Sequence, residues 1–150
     1  MAGPSTLETH LGYWLRLVSN HVSQAFAQKV ARHGVTVAEW VVLRRLFDGG
    51  TQPPSAIAAN LGMTRGAISK LIDRLEAKML ITRTHDLADH RFQAIRLTER
   101  GRALVPSLAA LADANDDEFF GDIDLAERMM VETLLRQIAA RRDLRTAPVD

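Results

Sequence analysis

The chain has 150 residues, 47% of them apolar and 25% charged, with no cysteine and a formal net charge of +1. This length suits one compact domain, and the missing cysteine excludes a disulfide framework, a thiolate metal site and a cysteine nucleophile. No apolar run approaches the roughly 20 residues that span a bilayer, and no secretory signal opens the chain, so a soluble, cytoplasmic protein is expected.

Ser5-Thr6-Leu7-Glu8 has the spacing of a capping box, which predicts a helix start. Leu7, Leu11, Trp14, Leu15, Val18, Val22, Phe26 and Val30 follow at steps of three and four until Gly34, which can take a left-handed stop. Thr36-Val37-Ala38-Glu39 is a second capping box, leading a helix that ends near Asp48-Gly49-Gly50. Pro53-Pro54 opens a short third helix with Ala56, Ile57, Ala59 and Leu61 expected inward and Gly62 as its stop. Thr64 caps a fourth, whose inner face is Ile68, Leu71, Ile72 and Leu75.

From Ile81 to Thr98 the helical period disappears, and Ile81–Thr84 and Gln93–Leu97 flank a polar segment, which predicts a β-hairpin. Thr98 caps a fifth helix carrying Leu104, Leu108, Leu111 and Phe119, which Pro106 should bend and Gly121 close. Asp124 with Glu127 forms one more capping pair ahead of Leu125, Met129, Leu134, Leu135 and Ile138 on a sixth helix. The expected fold is therefore mainly α with a small β-hairpin wing: a winged helix-turn-helix.

The small net charge conceals an asymmetry. Gly62 to Thr98 holds seven Lys and Arg against four Asp and Glu, whereas Asp113 to Glu127 holds seven acids and no base. The first region attracts phosphate and the second repels it. The short helix, the turn at Gly62-Met63 and the amphipathic helix after it have the order of a helix-turn-helix, whose second helix enters the major groove. A loop from His85 to Arg91 can reach past that helix, bringing Arg91 to the narrow, electronegative minor groove.

Thr64 and Arg65 open the fourth helix, where backbone N–H groups and the helix dipole favour phosphate, and Gly66 allows close backbone approach. Ser69, Lys70 and Arg74 lie on the free face; an arginine can pair with guanine, while a lysine suits a backbone contact. Arg83, at the foot of the hairpin, either binds phosphate or pairs with an acid. His85, Asp86, Asp89 and His90 are types that bind metal, but exposed wing loops are commonly polar, and no metal or cofactor is expected. Asp113, Asp116, Asp117 and Glu118 lack calcium-loop spacing and suit a solvated surface.

The stretch Leu61-Gly62-Met63-Thr64-Arg65-Gly66-Ala67-Ile68-Ser69-Lys70-Leu71-Ile72-Asp73-Arg74-Leu75-Glu76, then Arg83, Asp89-His90-Arg91 and Leu97-Thr98-Glu99-Arg100-Gly101, resembles the MarR family of transcription regulators. The resemblance implies a homodimer on double-stranded DNA. It divides a single domain, 1–150, into dimerisation helices at 1–34 and about 104–145 and a winged helix-turn-helix at about 36–98. It also assigns Asp89 and Arg91 to the wing's Asp-x-Arg signature, in which the carboxylate orients the arginine. A small-molecule effector pocket between the two parts is implied as well, for which Tyr13, Trp14, His21, Trp40 and Arg44 are the candidates. Family members commonly have a small capping residue at Pro53, a glycine near Met79 and an apolar strand residue at Gln93, so these three positions depart from the pattern.

The function expected is a sequence-specific, ligand-responsive repressor on a pseudo-palindromic operator. A winged-helix module that binds another protein without DNA is the alternative, and a stoichiometric partner with no retention on duplex DNA would favour it. An enzyme is not expected, because the chain has no cysteine nucleophile, glycine-rich phosphate loop or convincing acid–base pair.

Overall fold

The computed structural model describes residues 2–85 and 93–145. Within them the order is α1 (Leu11–Ala31), α2 (Val37–Gly49), α3 (Pro54–Leu61), α4 (Arg65–Ala77), β1 (Ile81–His85), β2 (Gln93–Leu97), α5 (Glu99–Phe120) and α6 (Leu125–Arg141). The expected element order and hairpin are both present.

The caps explain most boundaries. Glu39 N–H donates to Thr36 Oγ1 at 3.1 Å and Thr36 N–H to Glu39 Oε2 at 3.4 Å, so the second capping box forms as expected. Pro54 occupies the first turn of α3, where its missing N–H costs nothing, and Gly62 ends it in the left-handed conformation at φ 63°. Thr98 caps α5 through Gly101 N–H at 3.0 Å, and α5 runs on through Pro106 to Gly121.

Three local expectations are corrected. No capping box forms at Ser5: Leu7–Thr9 is a 3₁₀ turn, and α1 starts after His10. The Thr9 hydroxyl donates to Thr6 O at 2.7 Å and the Trp14 indole to Glu8 O at 2.9 Å, taking carbonyls that a longer helix would use. Asp124 stands at the start of α6 without a side-chain capping bond. In α3 the buried residues are Ile57, Ala58 and Leu61, while Ala59 is exposed and Ala56 half-buried. Three alanines in one short helix give periodicity little to choose between.

The core lies where α2, α3, α4, the hairpin and the first half of α5 converge, with Leu43, Leu46, Ile57, Ile68, Ile72, Leu75, Ile95 and Leu108 fully buried. The hairpin is antiparallel, in register Ile81↔Leu97, Arg83↔Ile95 and His85↔Gln93. Gln52 adds a third rung on the other side of β2: its N–H donates to Ile95 O at 3.0 Å and its O accepts from Ile95 N–H at 2.7 Å. This bridge ties the chain just ahead of α3 to the wing.

The two terminal helices are different. Leu11, Trp14, Leu15 and Val18 of α1 are exposed, and only toward Phe26 and Val30 does the helix reach the core. No residue of α6 is buried, although Leu125, Met129, Met130, Val131, Leu134, Leu135 and Ile138 lie on it. Buried Asn115 of α5 ties that helix to α1, donating to Val22 O at 3.1 Å and accepting from Lys29 Nζ at 2.9 Å. Lys29 also pairs with Glu118, and Arg128 lies within 4 Å of Asp116 and Asp117, so neighbouring cations partly offset the acidic stretch.

Candidate nucleic-acid interface

Three residues carry the chain from α3 into α4. Gly62 turns it, Met63 N–H returns to Ala58 O at 3.0 Å, and Thr64 Oγ1 accepts from Ala67 N–H at 3.1 Å. With α4 begun, its period of 3.6 sorts the side chains. Ile68, Leu71, Ile72 and Leu75 go into the core, and Thr64, Arg65, Gly66, Ser69, Lys70 and Arg74 are exposed. All six of these expected contact residues therefore lie along one free surface.

That surface is electropositive for stated reasons. Among the described residues, none of Arg65, Lys70 and Arg74 is ion-paired, and the first turn of α4 carries no acid. The N–H groups at the helix start are thus not competing with a carboxylate of their own turn for an incoming anion. A Cβ at Gly66 would meet nothing within 4 Å, so the backbone there is open to a close approach. Pro53, Pro54, Arg65, Ser69 and Gln93 line a groove of about 380 Å³, which sets the start of β2 beside the start of α4. The hairpin thus emerges next to the free face.

Asp73 and Glu76 are the acids exposed on α4, and Arg83 engages both. The Arg83 guanidinium donates to Asp73 Oδ1, and its Nε lies 3.5 Å from Glu76 Oε2, an ionic contact without hydrogen-bond geometry. Of the two roles open to Arg83, the structure shows the acid pairing. The effect is to fasten the foot of the wing to α4, a positioning role for Asp73 and Glu76 that no local pattern in the sequence signals. A second clamp holds the same, C-terminal end of α4 at its cap residue. Lys78 Nζ donates to the buried Glu39 carboxylate at 2.7 Å and to Gly34 O at 2.8 Å.

Asp89 and Arg91, with Asp86 and His90, lie outside the described residues; His85 is exposed at the end of β1. Of the departures, Pro53 offers α3 no side-chain cap, and Met79 holds φ at 60°, a left-handed conformation that a glycine would adopt without a Cβ penalty.

The five effector-pocket candidates lie on α1 and α2. Tyr13 packs edge-on against Trp14 at 5.2 Å, His21 is exposed on α1, and Trp40 packs against Phe26 at 6.4 Å. Arg44 bonds Asp48 at 2.6 Å and lies over Phe47. The clefts beside α4, at the α4–β1 corner and between α5 and α6 take no lining residue from these five.

Comparison with known proteins agrees with this geometry. The family model described as MarR family matches residues 35–92. The HTH-type transcriptional regulator MhqR of Bacillus subtilis is 26% identical over 123 residues, 82% of each chain. Among solved structures, BpsR of Bordetella bronchiseptica, whose DNA binding is regulated by 6-hydroxynicotinic acid, is 30% identical with a TM-score of 0.78. The similarity covers 91% of this chain and 98% of that one. The S. aureus MepR–DNA complex is 25% identical with a TM-score of 0.77, over 88% of this chain and 98% of that one.

Proposed function

The chain belongs to the MarR family, and on that premise we propose that it is a sequence-specific, double-stranded-DNA-binding transcription regulator. It acts as a homodimeric, ligand-responsive repressor in the cytoplasm, and binding rather than turnover is its activity. The observation that carries this reading is the partition of α4: four apolar residues fixed in the core and a cationic face left uncovered.

In this reading Thr64, Arg65 and Gly66 receive a phosphate at the start of α4, Ser69 and Lys70 hold the backbone, and Arg74 reads a base edge in the major groove. Arg91, oriented by Asp89, enters the adjacent minor groove, and Arg83 sets the hairpin's direction from below. The dimerisation regions are 1–34 and about 104–145, where α6 and the first half of α1 leave apolar side chains uncovered. A two-fold dimer presents two α4 helices to half-sites about one helical turn apart, hence a pseudo-palindromic operator. An effector that selects a dimer with another helix spacing releases the DNA.

Fluorescence anisotropy with duplex DNA from the chain's own upstream region, repeated across a salt series, tests the reading. Affinity is expected to fall linearly with salt on a log–log plot, because phosphate contacts release counterions. Salt-insensitive binding, or no binding to any duplex while a protein partner co-purifies, would overturn it.

A further inference from the structure

Glu39 is the only Asp or Glu buried among the described residues, at 1% exposed. A capping box serves an exposed helix start equally well, so the cap on α2 does not account for that burial. The partner does. Lys78, the C-cap residue of α4, brings its ammonium 2.7 Å from Glu39 Oε2 and 2.8 Å from Gly34 O. Gly34 is the left-handed turn, φ 79°, that follows α1. An exposed ion pair of two long side chains tolerates many geometries and holds little. Here the carboxylate is fixed on α2 and enclosed, and the carbonyl is fixed by the turn. The two bonds leave the end of α4 one position against the α1–α2 joint.

The same end of α4 is held from α5. Met79 takes φ 60° and turns the chain into β1, the Thr98 hydroxyl donates to Met79 O at 2.7 Å, and Thr98 N–H donates to Leu80 O at 3.1 Å. Gly101 packs so closely that a Cβ would clash with Leu80 O. At its other end α4 continues through Gly62–Thr64 into α3. The recognition helix is thus fastened at its C-terminus to α1 and α5, the helices whose outer parts belong to the dimerisation regions proposed above. Leverage makes this end decisive. A helix of 13 residues is about 20 Å long, so a tilt of about 10° at Lys78 moves the Arg65 end by about 3.4 Å, one base-pair step.

We infer that Lys78 and Glu39 are positioning residues that set the distance between the two recognition helices of the dimer, a role that rests on the regulator reading above. Neither residue touches DNA in this role; both act through the direction of α4. The test is pulsed electron–electron double resonance on the full-length dimer, without DNA. The chain has no cysteine, so Ser69→Cys places one spin label per protomer on α4, and Asp113→Cys places one on α5 as a control.

Lys78→Met is expected to broaden the distribution of Ser69–Ser69 distances about twofold and leave the Asp113–Asp113 distribution unchanged. Lys78→Arg, which can still donate to both acceptors, should keep both narrow. Where Lys78→Met alone does not fold, Glu39→Gln with Lys78→Met removes the unpaired buried charge and is read in the same way. On duplex operators, the broadened variant should lose several-fold of the preference for the native spacing over a one-base-pair insertion. An unchanged Ser69 distribution, broadening at both labels together, Lys78→Arg as broad as Lys78→Met, or an undiminished spacing preference would overturn the assignment. The distances are measured without DNA, so a chain that pairs but binds no operator fails the regulator reading and not the clamp.

Discussion

Arg83 shows how one side chain links two parts of the interface. Its guanidinium sits against Asp73 and Glu76 while its own strand leads into the wing. Both acids are well exposed, so the pair adds at most about 1 kcal/mol to folding. Arg83→Ala should accordingly leave the unfolding midpoint nearly unchanged yet weaken operator binding several-fold, with Arg83→Lys recovering part of the loss. Equal losses in both measurements would make Arg83 a merely structural residue.

On the free face the roles separate by readout. Lys70→Ala should weaken all duplexes alike and lower the salt slope by about one, the share of a single phosphate that the ammonium neutralises. Arg74→Ala should cost about 1–3 kcal/mol on the preferred operator and relax the preference at one base pair, as measured by competition between single-base operator variants. The exposed residues on α4 were legible in the sequence because a helix with four apolar positions at the right spacing leaves its other side no choice. The partner of Arg83 was not, since proximity between a strand and a helix is set by tertiary packing.

Among the elements, those with a chemical stop or start are legible in the sequence: Thr36, Gly62, Thr64 and Thr98 all do what their chemistry allows. Ser5 and Asp124 have the right spacing for caps, but exposed helix starts can find other backbone geometry, and the Thr9 and Trp14 side chains divert carbonyls at the first. Gln52 joining the wing sheet had no local signal at all, being a single residue paired across more than forty positions of sequence. Two substitutions probe how the ends of α4 and α5 are fixed. Thr64→Ala should cost about 1 kcal/mol through the lost cap. Gly101→Ala forces the helix away from Leu80 O and should cost about 1–3 kcal/mol. Both are read by urea denaturation at one fixed protein concentration, since dimerisation makes the midpoint concentration-dependent.

At the scale of the whole molecule, the chain alone is apolar where it should not be. Val131, Leu134, Leu135 and Ile138 are uncovered on α6, as are Leu125 and Met129 near its start, while Leu11, Trp14, Leu15 and Val18 are uncovered on α1. Sedimentation equilibrium is expected to give twice 16.6 kDa, and Leu134→Glu with Ile138→Glu to give monomers that have lost operator affinity. The helical pattern disclosed these stripes, but a stripe has the same spacing whether it meets its own core or a second chain. The effector candidates raise a related ambiguity: aromatic residues at helical spacing pack against neighbours as readily as they line a cleft, as Trp40 does on Phe26. The most direct measurement is selection of bound sequences from a pool of random duplexes by the full chain. A pseudo-palindrome with half-site centres about 10 base pairs apart is expected. A single unrepeated half-site, or no enrichment over the starting pool, would contradict a paired reader of two major grooves.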